Sequence, residues 1–373
     1  METGDGWLLR LRVPGGAITA DDLRVVSAVA SRYGSGLVDI TARANLQIRG
    51  VASDETGSAA EQLIAAGLVP ADAGIDARRA VVASPLTGHD PMSASDVTPV
   101  VAAVVATLIA DLDGTLPSKF GVVVDDAGSW SLGGVEADVR VRASVAGWTV
   151  HVRGIRPPIG LTSAPVHAAL AAARLCVAHG ARIDCIPEGS DAAFIANALG
   201  VAPAPAVRDA DPRDRRMSRP PMFGHPASAR MLGLIRHRDA GRRNLVAAPF
   251  LGRMDADAVL AIAEVAERYG AAVRLTPDHS IALCGVAIDD APSALAAVKV
   301  LGLVVDPDDG RAMVSACVGN RGCASAQADT SAAALQLAAT AARSRTHLSA
   351  CAKCCGAPTR VRHLVADMSG EFR

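Results

Sequence analysis

Aromatic side chains are nearly missing from this chain: three tryptophans, two tyrosines and five phenylalanines in 373 residues. Any core must therefore be filled by alanine, valine and leucine, which half-apolar composition supplies. There is no excess of one charge. Lys and Arg number 37 against 38 Asp and Glu, a net −1, which argues against a protein built to coat nucleic acid. No apolar run is long enough to cross a bilayer; the longest, Pro99 to Ala110, reads as a buried helix opened by Asp96 or Thr98, with Pro99 in its first turn. Met1-Glu2-Thr3-Gly4-Asp5 lacks the basic-then-apolar pattern of a signal peptide, so a cytoplasmic protein with no membrane partner is expected. The length allows two or three domains.

What the chain does have is cysteine, eight in all, concentrated near its end. Cys317 and Cys323 form a C-x5-C pair, and Cys351 and Cys355 a C-x3-C pair, with a helix-like segment between. Four thiolates in two pairs are what a [4Fe–4S] cluster needs, one sulfur per iron. Gly319 and Gly322 lie where a loop must wrap closely. Structural zinc fits the second pair better than the first. Inert buried thiols are a third reading, and disulfides do not suit a reducing compartment. Cys176, Cys185 and Cys284 stand apart in apolar surroundings and read as core residues.

A pattern near the N-terminus returns about 235 residues later. Ser31-Arg32-Tyr33-Gly34, Asp39-Ile40-Thr41 and Leu46–Val51 are answered by Glu267-Arg268-Tyr269-Gly270, Arg274-Leu275-Thr276 and Ile281–Val286. In the first copy Leu8–Val13 alternates as a strand, Pro14-Gly15-Gly16 breaks it, and Thr19 caps a helix with Leu23, Val26, Ala30 and Tyr33 on one face. So wide a period means a duplicated domain with a pseudo-two-fold axis rather than a solenoid. Strand alternation puts Arg43, Asn45, Gln47 and Arg49 on one face, where the second copy has Asp278, Ser280, Ala282 and Cys284. A solvated polar face is the bland account, but paired arginines and carboxamides also suit a ligand rich in carboxylates. Between the copies stand Arg78-Arg79 ahead of Ser84-Pro85-Leu86-Thr87-Gly88, then Lys119-Phe120-Gly121, then a strand with Asp138, Arg140 and Arg142 on one face. An Arg/Pro-rich linker, Arg208 to Pro220, precedes the second copy.

The two cysteine pairs, the duplicated half-domain and these basic positions together resemble the sulfite/nitrite reductase superfamily. The resemblance implies an α+β chain: two ferredoxin-like half-domains plus two αβ lobes with pseudo-two-fold symmetry. The boundaries it suggests are 1–77 and 78–207 for the first half-domain and lobe, 208–243 for the linker, and 244–290 and 291–373 for the second pair. It also implies that Arg43, Arg79 and Lys119 are catalytic. Asn45, Gln47, Arg49, Arg140 and Arg142 would bind substrate, and Cys317, Cys323, Cys351 and Cys355 would hold the cluster. Cys354 stands where glycine is usual, so it competes with Cys355 as fourth ligand, and spacing favours Cys355. Reductases of the superfamily usually carry a second lysine at Gly121 and Pro-Asn at Ala352-Lys353. Without them the chain is more similar to the branch that works on a tetrapyrrole in aerobic cobalamin biosynthesis. That branch implies precorrin-3A as substrate, dioxygen, an external electron donor, the [4Fe–4S] cluster and a mononuclear non-haem iron. No two-histidine, one-carboxylate constellation for that iron is evident among the nine histidines. Siroheme is implied only if the chain is a sulfite or nitrite reductase, and zinc only if it is a non-catalytic protein.

Overall fold

The computed structural model describes residues 1–117, 119–155, 158–186, 191–203, 231–340, 344–354, 357–358 and 361–373. Two compact units result: Met1–Leu11, Ala17–Val69 and Pro226–Arg373 form the first, Arg12–Gly16 and Pro70–His225 the second.

The first unit contains the sequence repeat. Helix Ala20–Tyr33 begins at Thr19, whose hydroxyl accepts from the Asp22 N–H while the Asp22 carboxylate accepts from the Thr19 N–H. Its counterpart, Ala256–Arg268, is capped by Asp255, which accepts from the Ala258 N–H at 2.7 Å. Each buries one apolar stripe, Leu23, Val26, Val29 and Ala30 in one and Val259, Ile262, Ala263 and Ala266 in the other. Every fully buried valine or leucine there contributes about 1.5–3 kcal/mol. The helices pack together, with the Ser27 hydroxyl donating to the Ala256 carbonyl at 2.7 Å and Arg24 paired with Glu267.

Each copy lends one short strand to the other. The first sheet runs Glu2–Thr3, Gly6–Leu11, Leu46–Val51, Leu37–Ile40 and then Arg253–Asp255 from the second copy. The second sheet runs Gly233–Arg236, Arg242–Ala247, Ile281–Ala287, Ala272–Leu275 and then Ala17–Ile18 from the first copy. Met254 faces Val38 and Ile18 faces Val273 in these antiparallel additions. A third, parallel sheet joins Val314–Ala316, Thr346–Ser349 and Arg362–Val365. Helix Thr330–Ala339 covers one face of it, where Val314, Ala334 and Leu348 are buried.

The second unit holds a six-stranded sheet in the order Ala202–Pro203, Gly160–Thr162, Gly147–Val152, Val139–Ser144, Val122–Asp125, Val81–Ala83. The last three are parallel and nearly all buried, as continuous apolar runs require. Helices Thr98–Asp111 and Pro165–His179 belong to the same core.

Several expectations shift in detail. Asp96 does serve the start of Thr98–Asp111, accepting from the Thr98 N–H at 2.9 Å, while Thr98 is itself helical. Cys176 and Cys284 are buried, but Cys185 is exposed, because the short turn Ile183–Cys185 turns only Ile183 inward. The Arg208–Pro220 linker lies outside the described residues. The wider stretch assigned to it, 208–243, enters the second sheet from Gly233 onward, pairing Gly233–Arg236 with the following strand.

Candidate functional site

Cys317 and Cys351 follow neighbouring parallel strands, at the carboxyl ends where open sheets place their sites. The Cys317 N–H donates to the Leu348 carbonyl at 3.0 Å, and the Ala350 N–H donates to Cys317 Sγ at 3.2 Å. The loop from Cys317 then tightens through Gly319, whose φ of 68° a side chain would strain. Behind it the buried Thr330 hydroxyl donates to the Cys317 carbonyl at 2.7 Å. Cys323 closes this loop, its N–H on the Gly319 carbonyl at 3.0 Å. Cys317, Cys323, Cys351 and Cys354 are all half-buried and free of disulfides. Cys354 takes a left-handed φ of 45°, and its thiol lies 3.7 Å from the Cys351 carbonyl. Cys355 lies outside the described residues.

Behind the cysteine loops the third sheet turns a polar face the other way. His347 is 3% exposed, with Nδ1 3.0 Å from the Ser315 hydroxyl. Its Nε2 and the Ser349 hydroxyl are buried with no protein partner. Burial, and then His363 and His279 nearby, bring the His347 pKa down to about 4, so the imidazole is neutral at pH 7. Among the described residues no three His, Cys, Asp or Glu side chains gather closely enough for a single metal ion.

Arg43 and Asn45 do not continue the strand. They sit in a turn from Thr41 to Asn45, where the Thr41 N–H donates to the Asn45 carbonyl and Thr41 Oγ1 accepts from the Arg43 and Asn45 N–H groups. The second copy repeats this turn with Thr276, Asp278 and Ser280, down to a left-handed residue at Ala44 (φ 53°) and His279 (φ 60°). Alternation is therefore reset before Leu46. Gln47 is half-buried on the strand, and Arg49 is 4% exposed, its guanidinium bound to Asp5, Asp39 and the Gly322 carbonyl.

In the second unit, Arg79 and Lys119 lie just ahead of adjacent parallel strands, linked by the Val122 N–H to the Ala80 carbonyl at 3.0 Å. Arg79 is 3.6 Å from Asp76, and burial lowers its pKa. Lys119 is exposed with a left-handed φ of 68°. Arg140 and Arg142 share a sheet face with Asp125, at 3.8 and 3.6 Å. Burial raises the Asp125 pKa and lowers that of Arg140. Asp138, expected on that face, instead precedes the strand and is fully buried against Arg182. Facing Arg140 across the strands is His151, whose pKa burial and then the two arginines lower to about 4. A neutral imidazole beside two guanidinium groups is a hydrogen-bonding element of an anion-attracting face. Nothing in the residues around it singles out His151, since its neighbours on Gly147–Val152 carry no chemistry.

Residues 1–66 and 235–301 match the family model of the nitrite/sulfite reductase ferredoxin-like half domain. Both stretches are thus similar to that half-domain. They are the two copies that exchange strands in the first unit. Over 371 residues, 96% of this chain, it is 28% identical to a precorrin-3B synthase from Sinorhizobium sp, of which it covers 76%. A ferredoxin–nitrite reductase from Leptolyngbya laminosa is 32% identical over 124 residues, 32% of this chain and 24% of that protein. The Mycobacterium tuberculosis NirA structure superposes with a TM-score of 0.74, covering 94% of this chain and 69% of NirA at 19% identity. The fold is that of the sulfite/nitrite reductases, α+β with several sheets, as the half-domain motifs imply. No described helix is long and apolar enough to cross a membrane.

Proposed function

We propose that this chain is a precorrin-3B synthase, carrying out oxygen-dependent hydroxylation of precorrin-3A with closure of a γ-lactone. The observation that carries the reading is the 28% identity to a precorrin-3B synthase along 96% of the chain. The missing second lysine at Gly121 supports it, because reduction of a small anion calls for concentrated positive charge there. One oxygen atom of dioxygen enters the product, and the other leaves as water with two electrons from an external donor and two protons.

The thiols of Cys317, Cys323 and Cys351, with Cys355 as the fourth by spacing, fit an iron–sulfur cluster. The first three are free, half-buried, and set on two loops whose backbone already donates one N–H to a sulfur. When bound, a [4Fe–4S] cluster supplies single electrons. Arg79, Lys119, Arg140 and Arg142 are the candidates for the substrate's carboxylates within the second unit, and Arg43, with Asn45 and Gln47, is a separate candidate within the first. Arg142 Nε is buried without a hydrogen-bond partner, and a carboxylate would satisfy it. Each partly desolvated contact of this kind is worth about 1.5–3 kcal/mol. For a mononuclear iron the described residues offer no ligand set.

Aerobic incubation with precorrin-3A and a reductant, followed by mass spectrometry, tests the proposal. A product heavier by one oxygen atom is expected, and an unchanged substrate mass refutes it. The local 32% identity to a ferredoxin–nitrite reductase favours a siroheme-dependent sulfite or nitrite reductase as the second reading. Siroheme bands in the absorption spectrum of anaerobically purified protein would decide for it, and zinc in place of iron would remove both.

A further inference from the structure

The N-terminal turn, Arg49 and the Cys317–Cys323 loop form one hydrogen-bonded network within the first unit. The Gly322 carbonyl, adjacent to Cys323, accepts from the Gly4 N–H at 3.2 Å and from the Arg49 guanidinium at 3.2 Å. That guanidinium also grips Asp5 at two points, Nε at 2.9 Å and its second nitrogen at 3.0 Å. Its third nitrogen donates to Asp39 at 3.2 Å, and Asp39 in turn accepts from Arg253 at 2.6 Å. Asp5 is further fixed by the Thr3 hydroxyl at 2.7 Å. Burial pushes the Asp5 carboxyl up, but the hydrogen bonds from Arg49 and Thr3 outweigh it and hold its pKa below the usual range.

Two glycines make the fit close. A Cβ on Gly4 would lie 2.8 Å from the Ala324 nitrogen and 3.0 Å from the Cys323 carbonyl carbon. Any side chain at Gly322 would meet the Arg49 guanidinium itself. A planar fork held by two carboxylates keeps one N–H aimed at a fixed point, which a lysine ammonium on a flexible stem does not. Two carboxylates also neutralise the buried charge. With four of its five N–H groups so occupied, the guanidinium has no second fork left to grip a ligand carboxylate.

We propose that Arg49, with Asp5 and Gly4, is a latch that fixes the position of Cys323: a positioning residue rather than a substrate-binding one. What Cys323 holds rests on the function proposed above; the latch itself does not. The test uses the full chain with Arg49→Lys and Gly4→Ala, and Gly57→Ala as control, since Gly57 has no atom within 4 Å of its added Cβ. In metal-free protein, iodoacetamide alkylation is followed at each cysteine by peptide mass spectrometry. Both variants are expected to speed alkylation of Cys323, Arg49→Lys by about ten-fold, the worth of one charged hydrogen bond, and Gly4→Ala because its β-carbon displaces the Cys323 backbone. Cys317, tied to Leu348, should keep its rate in both variants, and Gly57→Ala should change nothing. In loaded protein the same two variants should lose iron faster than wild type. Wild-type alkylation rates at Cys323 in Gly4→Ala, which retains every charge, overturn the latch even if Arg49→Lys fails to fold. A wild-type chain that takes up no cluster refutes the proposed function alone, because the alkylation rates still decide the latch.

Discussion

Replacing Gly319 by alanine puts a methyl group into the tightest part of the first cysteine loop. Two costs add there. The residue has φ 68°, and holding alanine in that left-handed region costs about 1–2 kcal/mol. The new Cβ would also stand 2.6 Å from Thr330 Oγ1, 2.9 Å from the Thr330 nitrogen and 3.1 Å from the Ala328 carbonyl oxygen. Two of those atoms are backbone and cannot rotate away, so overpacking adds about 1–3 kcal/mol. Thr330 moves first, and with it goes its hydrogen bond to the Cys317 carbonyl. Gly36 separates the two costs: its φ is 76°, but no atom lies within 4 Å of an added Cβ, so Gly36→Ala carries only the backbone strain. Chemical denaturation of both variants should place Gly319→Ala lower by the overpacking increment, about 1–3 kcal/mol. Iron and sulfide per chain should fall in Gly319→Ala and stay at the wild-type level in Gly36→Ala. Equal stabilities together with equal iron would refute the claim that this loop is closed around Thr330.

Asp138 accepts from Arg182 and from the Gly121 and Ile183 N–H groups while fully buried, so Asp138→Ala should cost about 3–5 kcal/mol in the same denaturation assay. His347 has a folded pKa of about 4 against an unfolded value near 6.5, so its contribution is complete above the unfolded value and is lost as pH falls toward 4. His347→Gln should flatten the fall in stability across that window, by up to about 3 kcal/mol, and an unchanged pH profile would count against a buried neutral imidazole. Cys354→Ser should retain iron whereas Cys355→Ser should not, and Cys354→Gly should gain about 1 kcal/mol by removing a left-handed β-carbon at φ 45°. Arg43→Ala should weaken tetrapyrrole binding in fluorescence titration while iron content stays the same.

The duplication was legible because both copies keep the same short signals: an Arg-Tyr-Gly helix end, a threonine that opens a turn, and an apolar strand. The tight turn of the Cys317–Cys323 loop was legible for a similar local reason, since spacing and glycines declare a wrapped loop. The exchanged strands were not, because Ala17–Ile18 and Arg253–Asp255 are too short to show any period. The partners of Arg49 were hidden for a different cause. Alternation assigns a face but not a partner, and its partners Asp5 and Gly322 come from distant parts of the chain. His151 gives no sequence signal at all; only the register opposite Arg140 reveals it.

The crossing of Ala17–Ile18 and Arg253–Asp255 bears on how such a molecule arose and how it can be cut. Neither half-domain severed from its twin would have a finished sheet, and each would present a bare rim of amide groups ready to recruit a stranger. The ancestor before gene fusion is thus best pictured as an intertwined pair of identical chains, and two separately expressed halves of the present chain should find each other before they find solubility alone.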